Sequence, residues 1–184
     1  IGAAVVLSPG STGVLPDDHP QNMHVGGSKG SISGNYAMEN ADLLIAIGSR
    51  AVCQADCSGV GYPNAKAVIN INGDLGDLLH YANTVGLAGD IGAVTKRLLD
   101  EISRSNLIDP AAKAEWLAAC AKKKQEWREF KLGRFETPPL HDAAWGRPVL
   151  TQPVAIKITA DHAKAIGAVK YFDAGDVQAN GFQI

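Results

Sequence analysis

Leu43-Leu44-Ile45-Ala46-Ile47, running straight into Gly48-Ser49-Arg50, is the stretch that decides how this chain is read. An apolar run without polar alternation is the pattern of a strand covered on both faces, as in a parallel sheet flanked by helices. Three more runs end in the same way. Ala3–Leu7 meets Ser8-Pro9-Gly10, Ala67–Ile71 meets Asn72-Gly73-Asp74, and Val85–Ala88 meets Gly89-Asp90. Helical stretches fall between and after them: Ile91, Val94, Leu98, Leu99 and Ile102 recur at helix spacing behind Asp90, a residue suited to cap a helix N-terminus. The economical reading is an α/β fold with an open parallel sheet and right-handed crossovers.

Outward from that core, Asp109 and Pro110 mark a second helix start, and Trp116, Cys120, Trp127 and Phe130 form its apolar stripe. Lys122 to Lys124 and Glu126 are expected mostly on its wet side. From Leu132 to Pro153 five residues, Pro138, Pro139, Gly146, Pro148 and Pro153, interrupt regular structure, which predicts a linker. Val154–Ala165 then reads as a helix and Ala168–Phe172 as a strand ending in Asp173-Ala174-Gly175. The expected organisation is a nucleotide-binding-type domain over 1–131, a linker over 132–153, and the opening of a second α/β unit over 154–184, with the fold incomplete at both ends.

Composition narrows the function. The 184 residues are 46% hydrophobic and 20% charged with a net charge of −2, ordinary globular values that give no footprint for nucleic acid or an anionic membrane. No apolar run reaches the roughly 20 residues of a membrane span. Three cysteines do not make a disulfide framework, so a reducing cytoplasm is the expected compartment.

In a parallel sheet the carboxyl ends of the strands share one edge, and ligands bind in the crevice outside it. That edge collects Gly10, Gly48, Gly73 and Gly89, together with the loop Gly26-Gly27-Ser28-Lys29-Gly30-Ser31, with Lys29 and Arg50 to add charge. Such glycines serve either a nucleotide phosphate or the turns themselves. No G-x-G-x-x-G follows a strand, and Lys29 stands before Gly30 instead of after it, so neither dinucleotide nor Walker fingerprint is present. Gly26-Gly27-Ser28-Lys29-Gly30 matches the hydrolase pattern G-x-S-x-G, but Gln21-Asn22-Met23-His24-Val25 is a poor strand to precede a nucleophile elbow. Cys53 and Cys57 lack the further ligands of a zinc site. The residues assign no catalytic group and no metal ligand.

The order of these segments resembles the acetolactate-synthase-like, thiamine-diphosphate-dependent enzymes. The resemblance rests on Gly13-Val14-Leu15-Pro16-Asp17-Asp18-His19-Pro20, Lys29-Gly30-Ser31 with Asn35-Tyr36-Ala37, Ala41 to Arg50, Ile69-Asn70-Ile71-Asn72 and Gly89-Asp90. It covers Ile1 to about Ile102. Phe172-Asp173-Ala174-Gly175-Asp176-Val177-Gln178 is similar to the opening of that family's diphosphate-binding domain, which singles out Gly175, Asp176 and Gln178. The resemblance implies a middle, Rossmann-like (DHS-like) domain whose first, central strand and helix lie upstream of Ile1. It implies thiamine diphosphate and magnesium in the parent enzyme but held by parts outside this stretch, with those parts as partners and a homo-oligomer as the assembly. Flavin-binding members place FAD at the strand-end loops, which by position implies Ser8, Gly10, Gly27, Ser28, Lys29, Gly48, Arg50, Asn70, Asp90 and Ile91. This chain departs from them with Asn70 in place of an aspartate, with Ala51-Val52-Cys53-Gln54 in place of an acidic pair, and with Ser28-Lys29 in place of a methionine-histidine pair. FAD, ADP and an empty pocket therefore stay open. Two functions follow: part of a thiamine-diphosphate-dependent lyase or carboligase acting on a 2-oxo acid or diketone, or a stand-alone adenine-nucleotide or coenzyme-A binding module.

Overall fold

A computed structural model describes residues 1–50, 60–79, 82–105, 108–109, 111–173, 175–181 and 183–184. The readings of Ala51 to Gln54, Cys53, Cys57, Pro110 and Ala174 lie outside these residues. Two compact units divide the chain, Ile1–Lys123 and Lys124–Ile184.

The first unit is α/β, as its apolar runs predict. Strands β1 (Val5–Leu7) and β2 (Asn22–Val25) pair in parallel, and β3 (Leu43–Ile47), β4 (Ala67–Asn72) and β5 (Thr84–Ala88) form a second parallel sheet in the order β3-β4-β5. The parallel strands thus fall into two groups among the described residues. Among these residues β1 and β3 each have a pairing partner on one side only. Register in the larger sheet is regular: Ile45 stands beside Ile69, and Ile69 beside Val85. Ile71, in the middle strand, is fully buried. Ile47 and Val85, on the outer strands, are not.

β2 corrects the reading of Gln21–Val25 as a poor strand. Asn22, Met23 and Val25 are buried. The strand carries a bulge: Val5 pairs with Asn22 but Leu7 with Val25, so one extra residue sits in β2. His24 takes it up with a φ of 63°, a left-handed conformation uncommon outside glycine. Asn22 holds both sides of the irregularity, accepting from the His24 N–H at 2.8 Å and donating to the Leu15 and Pro16 carbonyls.

Helix α1 (Ile32–Asn40) packs on β1 and β2. The short α2 (Leu75–Leu78) packs on β4 and β5, and α3 (Ile91–Ser105) on β4. Asp90 caps α3 as expected, its carboxylate accepting from the Ala93 N–H at 2.9 Å. Asp109 accepts from the Ala111 N–H at the 3-10 turn Ala111–Lys113, and α4 (Ala114–Phe135) follows. Cys120 packs with Met23 and Ala37, and Trp116 stacks on Tyr36 with ring centroids 6.1 Å apart. α4 therefore closes the β1–β2 sheet, and burial in that cluster pushes the Cys120 thiol up to about 11.

The second unit brings four corrections. Lys124 is buried, not solvated, because it follows Cys120 by one helical turn and shares the face of Trp127. Phe130, read as part of the buried stripe, stacks on Trp127 yet stays 45% exposed. The supposed linker is largely structured: α4 runs on to Phe135, and β6 (Leu140–Asp142) and β7 (Arg147–Val149) form an antiparallel hairpin whose turn is held by Asp142 accepting from Ala144 and Trp145. Pro148 sits in a two-stranded ribbon, which is all edge, and Pro153 lies in the first turn of α5 (Gln152–Ala165), where no N–H is missed. Ala168–Phe172 is not a strand, since nothing pairs with it among the described residues. The last element is α6 (Asp176–Gly181).

Candidate functional site

The strand ends expected to meet do so within each sheet. In the larger sheet the Gly48 N–H donates to the Ile71 carbonyl and the Gly89 N–H to the Asn72 carbonyl. Asn72, 7% exposed, donates from its amide to the Ser49 carbonyl at 3.1 Å and accepts from the Asp74 N–H at 3.0 Å. Gly48, with a φ of 60°, turns the chain against the Ile91 side chain, where an added Cβ would come within 2.6 Å. Gly48, Arg50, Asp90 and Ile91 therefore share one edge, and Gly48, Arg50 and Asp90 are exposed on it. Sequence reasoning passed over Asn72 as part of a turn, although an asparagine leaving a buried strand is the residue type that ties neighbouring loops.

A second cluster belongs to the smaller sheet. The Gly26 N–H donates to the Leu7 carbonyl, which sets the Gly26–Ser31 loop beside Ser8 and Gly10. Ser8 shares a hydrogen bond with Ser11 at 3.1 Å, and Gly10 faces open space. The glycines of the loop and of the first turn of α1 have a clear physical reason. An added Cβ would stand 2.3 Å from the Met38 sulfur at Gly26, 2.6 Å from the Gly26 backbone at Gly30, and 2.5 Å from the Val25 oxygen at Gly34. β2, the loop and α1 thus touch backbone to backbone. The loop's amides are largely spent internally: Gly27 N–H on the Asn35 side chain, Gly30 N–H on Gly27, and Ser31 N–H on Val25. Ser28 and Lys29 project from it as exposed side chains. The strand before the loop meets one premise of a nucleophile elbow, but the helix starts only at Ile32, with Ser28 out on the connecting loop.

Asn70 lies elsewhere. It is fully buried in β4, and its amide donates to the Asp77 and Leu78 carbonyls at 2.9 and 2.8 Å, holding the end of α2. Its other side-chain atom, Oδ1, is buried without a partner. Gly175, Asp176 and Gln178 sit at the start of α6 in the second unit; Gly175 and Asp176 are exposed, and the Asp176 carbonyl accepts from Asn180. A cavity of about 260 Å³ lies between α1 and the 60–63 segment, lined by Asn35, Met38, Glu39, Val60, Gly61 and Pro63. Asn35 joins it to the glycine loop. Among the described residues no three His, Cys, Asp or Glu side chains converge as a metal site, and no helix is long and apolar enough to cross a membrane.

Comparison with known proteins agrees with the architecture. The acetolactate synthase of Mycobacterium bovis is 26% identical over 118 residues, 64% of this chain and 19% of that protein. The acetolactate synthase large subunit of Mycobacterium tuberculosis matches to the same extent. The chain thus spans about a fifth of the length of the curated relatives it matches. Residues 1–98 match the family described as thiamine pyrophosphate enzyme, central domain, so a parallel α/β unit with its strand ends gathered on shared edges is accounted for, and this chain belongs to that family.

Proposed function

We propose that this chain is the middle, nucleotide-carrying part of a larger thiamine-diphosphate-dependent lyase or carboligase that acts on a 2-oxo acid or diketone. One observation carries the nucleotide reading: Asn72 and the Gly48 and Gly89 amides lock the ends of β3, β4 and β5 into one edge on which Arg50 is exposed. Ligands of open parallel sheets bind at such edges.

Thiamine diphosphate and magnesium are assigned to other parts of the parent enzyme, as the family resemblance implies; among the described residues no three His, Cys, Asp or Glu side chains converge. No step of thiamine chemistry is assigned to this chain. An adenine nucleotide, ADP or FAD, fits better. This reading assigns one set of contacts to the open space at Gly10 and the exposed Ser28 and Lys29 of the smaller sheet. It assigns another set to Gly48, Arg50, Asp90 and Ile91 at the edge of the larger one. Arg50 is the natural diphosphate ligand, since a guanidinium forks two hydrogen bonds onto neighbouring oxygens. Asn70 has no part in this, because its amide is committed to α2.

Titration calorimetry with ADP and with FAD, on wild type and on Arg50→Ala, tests the assignment. Loss of a charge-assisted diphosphate contact weakens binding by about 1.5–3 kcal/mol, roughly ten- to a hundredfold. Binding by Arg50→Ala equal to wild type, or no binding of either nucleotide to wild type, removes the site.

A further inference from the structure

We propose that Asn72 is a positioning residue for nucleotide binding: buried and out of reach of the ligand, it sets the peptide from which Arg50 meets the diphosphate. This rests on the nucleotide reading above and adds to it the residue that governs Arg50. Asn72 closes β4, and its backbone is anchored on β5, where it stands beside Ala88 and its carbonyl accepts from the Gly89 N–H at 3.1 Å. From that base its side chain works in two directions. Nδ2 donates to the Ser49 carbonyl at 3.1 Å, and Oδ1 accepts from the Asp74 N–H at 3.0 Å. A carboxamide can do both, whereas a carboxylate of the same shape would turn only acceptors toward the Ser49 carbonyl.

The contact matters because of where Ser49 stands. β3 ends at Ile47, and Gly48, in the left-handed region, turns the chain out of the sheet. Ser49 and Arg50 belong to no strand or helix, so no regular ladder fixes them. The Ser49 carbonyl and the Arg50 N–H are parts of one planar peptide, so holding the oxygen sets the plane from which Arg50 departs. A guanidinium forks onto two phosphate oxygens in a defined geometry. Presetting its approach spares part of the ordering cost of binding. Asn70, two residues earlier on the same face of β4, cannot substitute, because its amide is committed to the Asp77 and Leu78 carbonyls.

Calorimetry on the complete protein, with ADP and FAD, which carry a diphosphate, and with adenosine, which does not, tests this. Asn72→Ser keeps a hydroxyl for the Asp74 N–H but is too short to reach the Ser49 carbonyl. It should weaken ADP or FAD binding by roughly tenfold at unchanged stoichiometry and leave adenosine binding as in wild type. Combined with Arg50→Ala it should cost nothing further, since both changes then remove the same contact. Without ligand, the amides of Gly48 to Arg50 should exchange faster with deuterium in Asn72→Ser. Asn72→Thr, with the same hydroxyl and a higher strand propensity, takes its place if circular dichroism shows the serine variant unfolded. Arg50→Ala weakened but Asn72→Ser equal to wild type overturns the proposal and leaves the site standing. So does a loss that adds to that of Arg50→Ala, or one that falls equally on adenosine, because Asn72 would then act on the fold at large. A wild type that binds neither diphosphate ligand, or Arg50→Ala binding as wild type does, removes the site and this proposal with it.

Discussion

Adding a single methyl group separates the glycines of this chain into two kinds. At Gly30 the new Cβ meets backbone 2.6–2.8 Å away that cannot swing aside, whereas at Gly10 it meets nothing within 4 Å. Gly30→Ala should therefore lower unfolding stability by about 1–3 kcal/mol, and Gly10→Ala should stay within about 0.5 kcal/mol. Urea melts of both variants decide it, and equal costs would remove the close-approach account of the loop. This is where sequence was least able to speak. A glycine prints the same letter whether it makes room for a phosphate or for a neighbouring turn. The asparagines of β4 repeat the lesson: Asn70 and Asn72 lie on one face of the strand, yet one fastens α2 from the inside and the other ties the strand ends together.

At the scale of elements, α1 depends on one hydroxyl. The Ser31 Oγ accepts from the Gly34 N–H at 2.8 Å, capping the helix, and lies 2.9 and 3.0 Å from the Met23 and Val25 carbonyls of β2. Ser31→Ala removes a cap worth about 1 kcal/mol and strands buried polar groups at about 1–3 kcal/mol more. A chemical-denaturation midpoint should fall accordingly, with Ser28→Ala as the silent control; a small loss in Ser31→Ala would mean that water or Ser33 takes over. The strands at 43–47, 67–72 and 84–88 were legible because mostly apolar runs that end in glycine-bearing turns have few other uses. β2 was not, because Asn22 and His24 break the continuous apolar run that marks the other strands, while its bulge lets Asn22 be buried along with Met23 and Val25. Ala168–Phe172 shows the converse. Its residues favour a strand, but a strand exists only when another accepts its hydrogen bonds.

For the whole molecule, the cluster under α4 sets an alkaline limit. The folded chain holds the Cys120 thiol neutral up to about 11, against an ordinary value of 9.0, so the unfolded chain loses this proton first as pH rises. The contribution is complete below pH 9 and declines from there to about pH 11, by up to roughly 3 kcal/mol. Stability measured across that window should fall less steeply in Cys120→Ala than in wild type, and parallel slopes would show that the thiol ionises without resistance. The strand pairings carry a different consequence. β1 with β2, β3 with β4, β4 with β5, and β6 with β7 are all neighbours along the chain. Each ladder can close as soon as its second strand leaves the ribosome, with no waiting for distant sequence. The seating of Trp116 and Cys120 on Tyr36, Met23 and Ala37 spans the intervening sheet instead, so α4 docks on β1, β2 and α1 later than the ladders close.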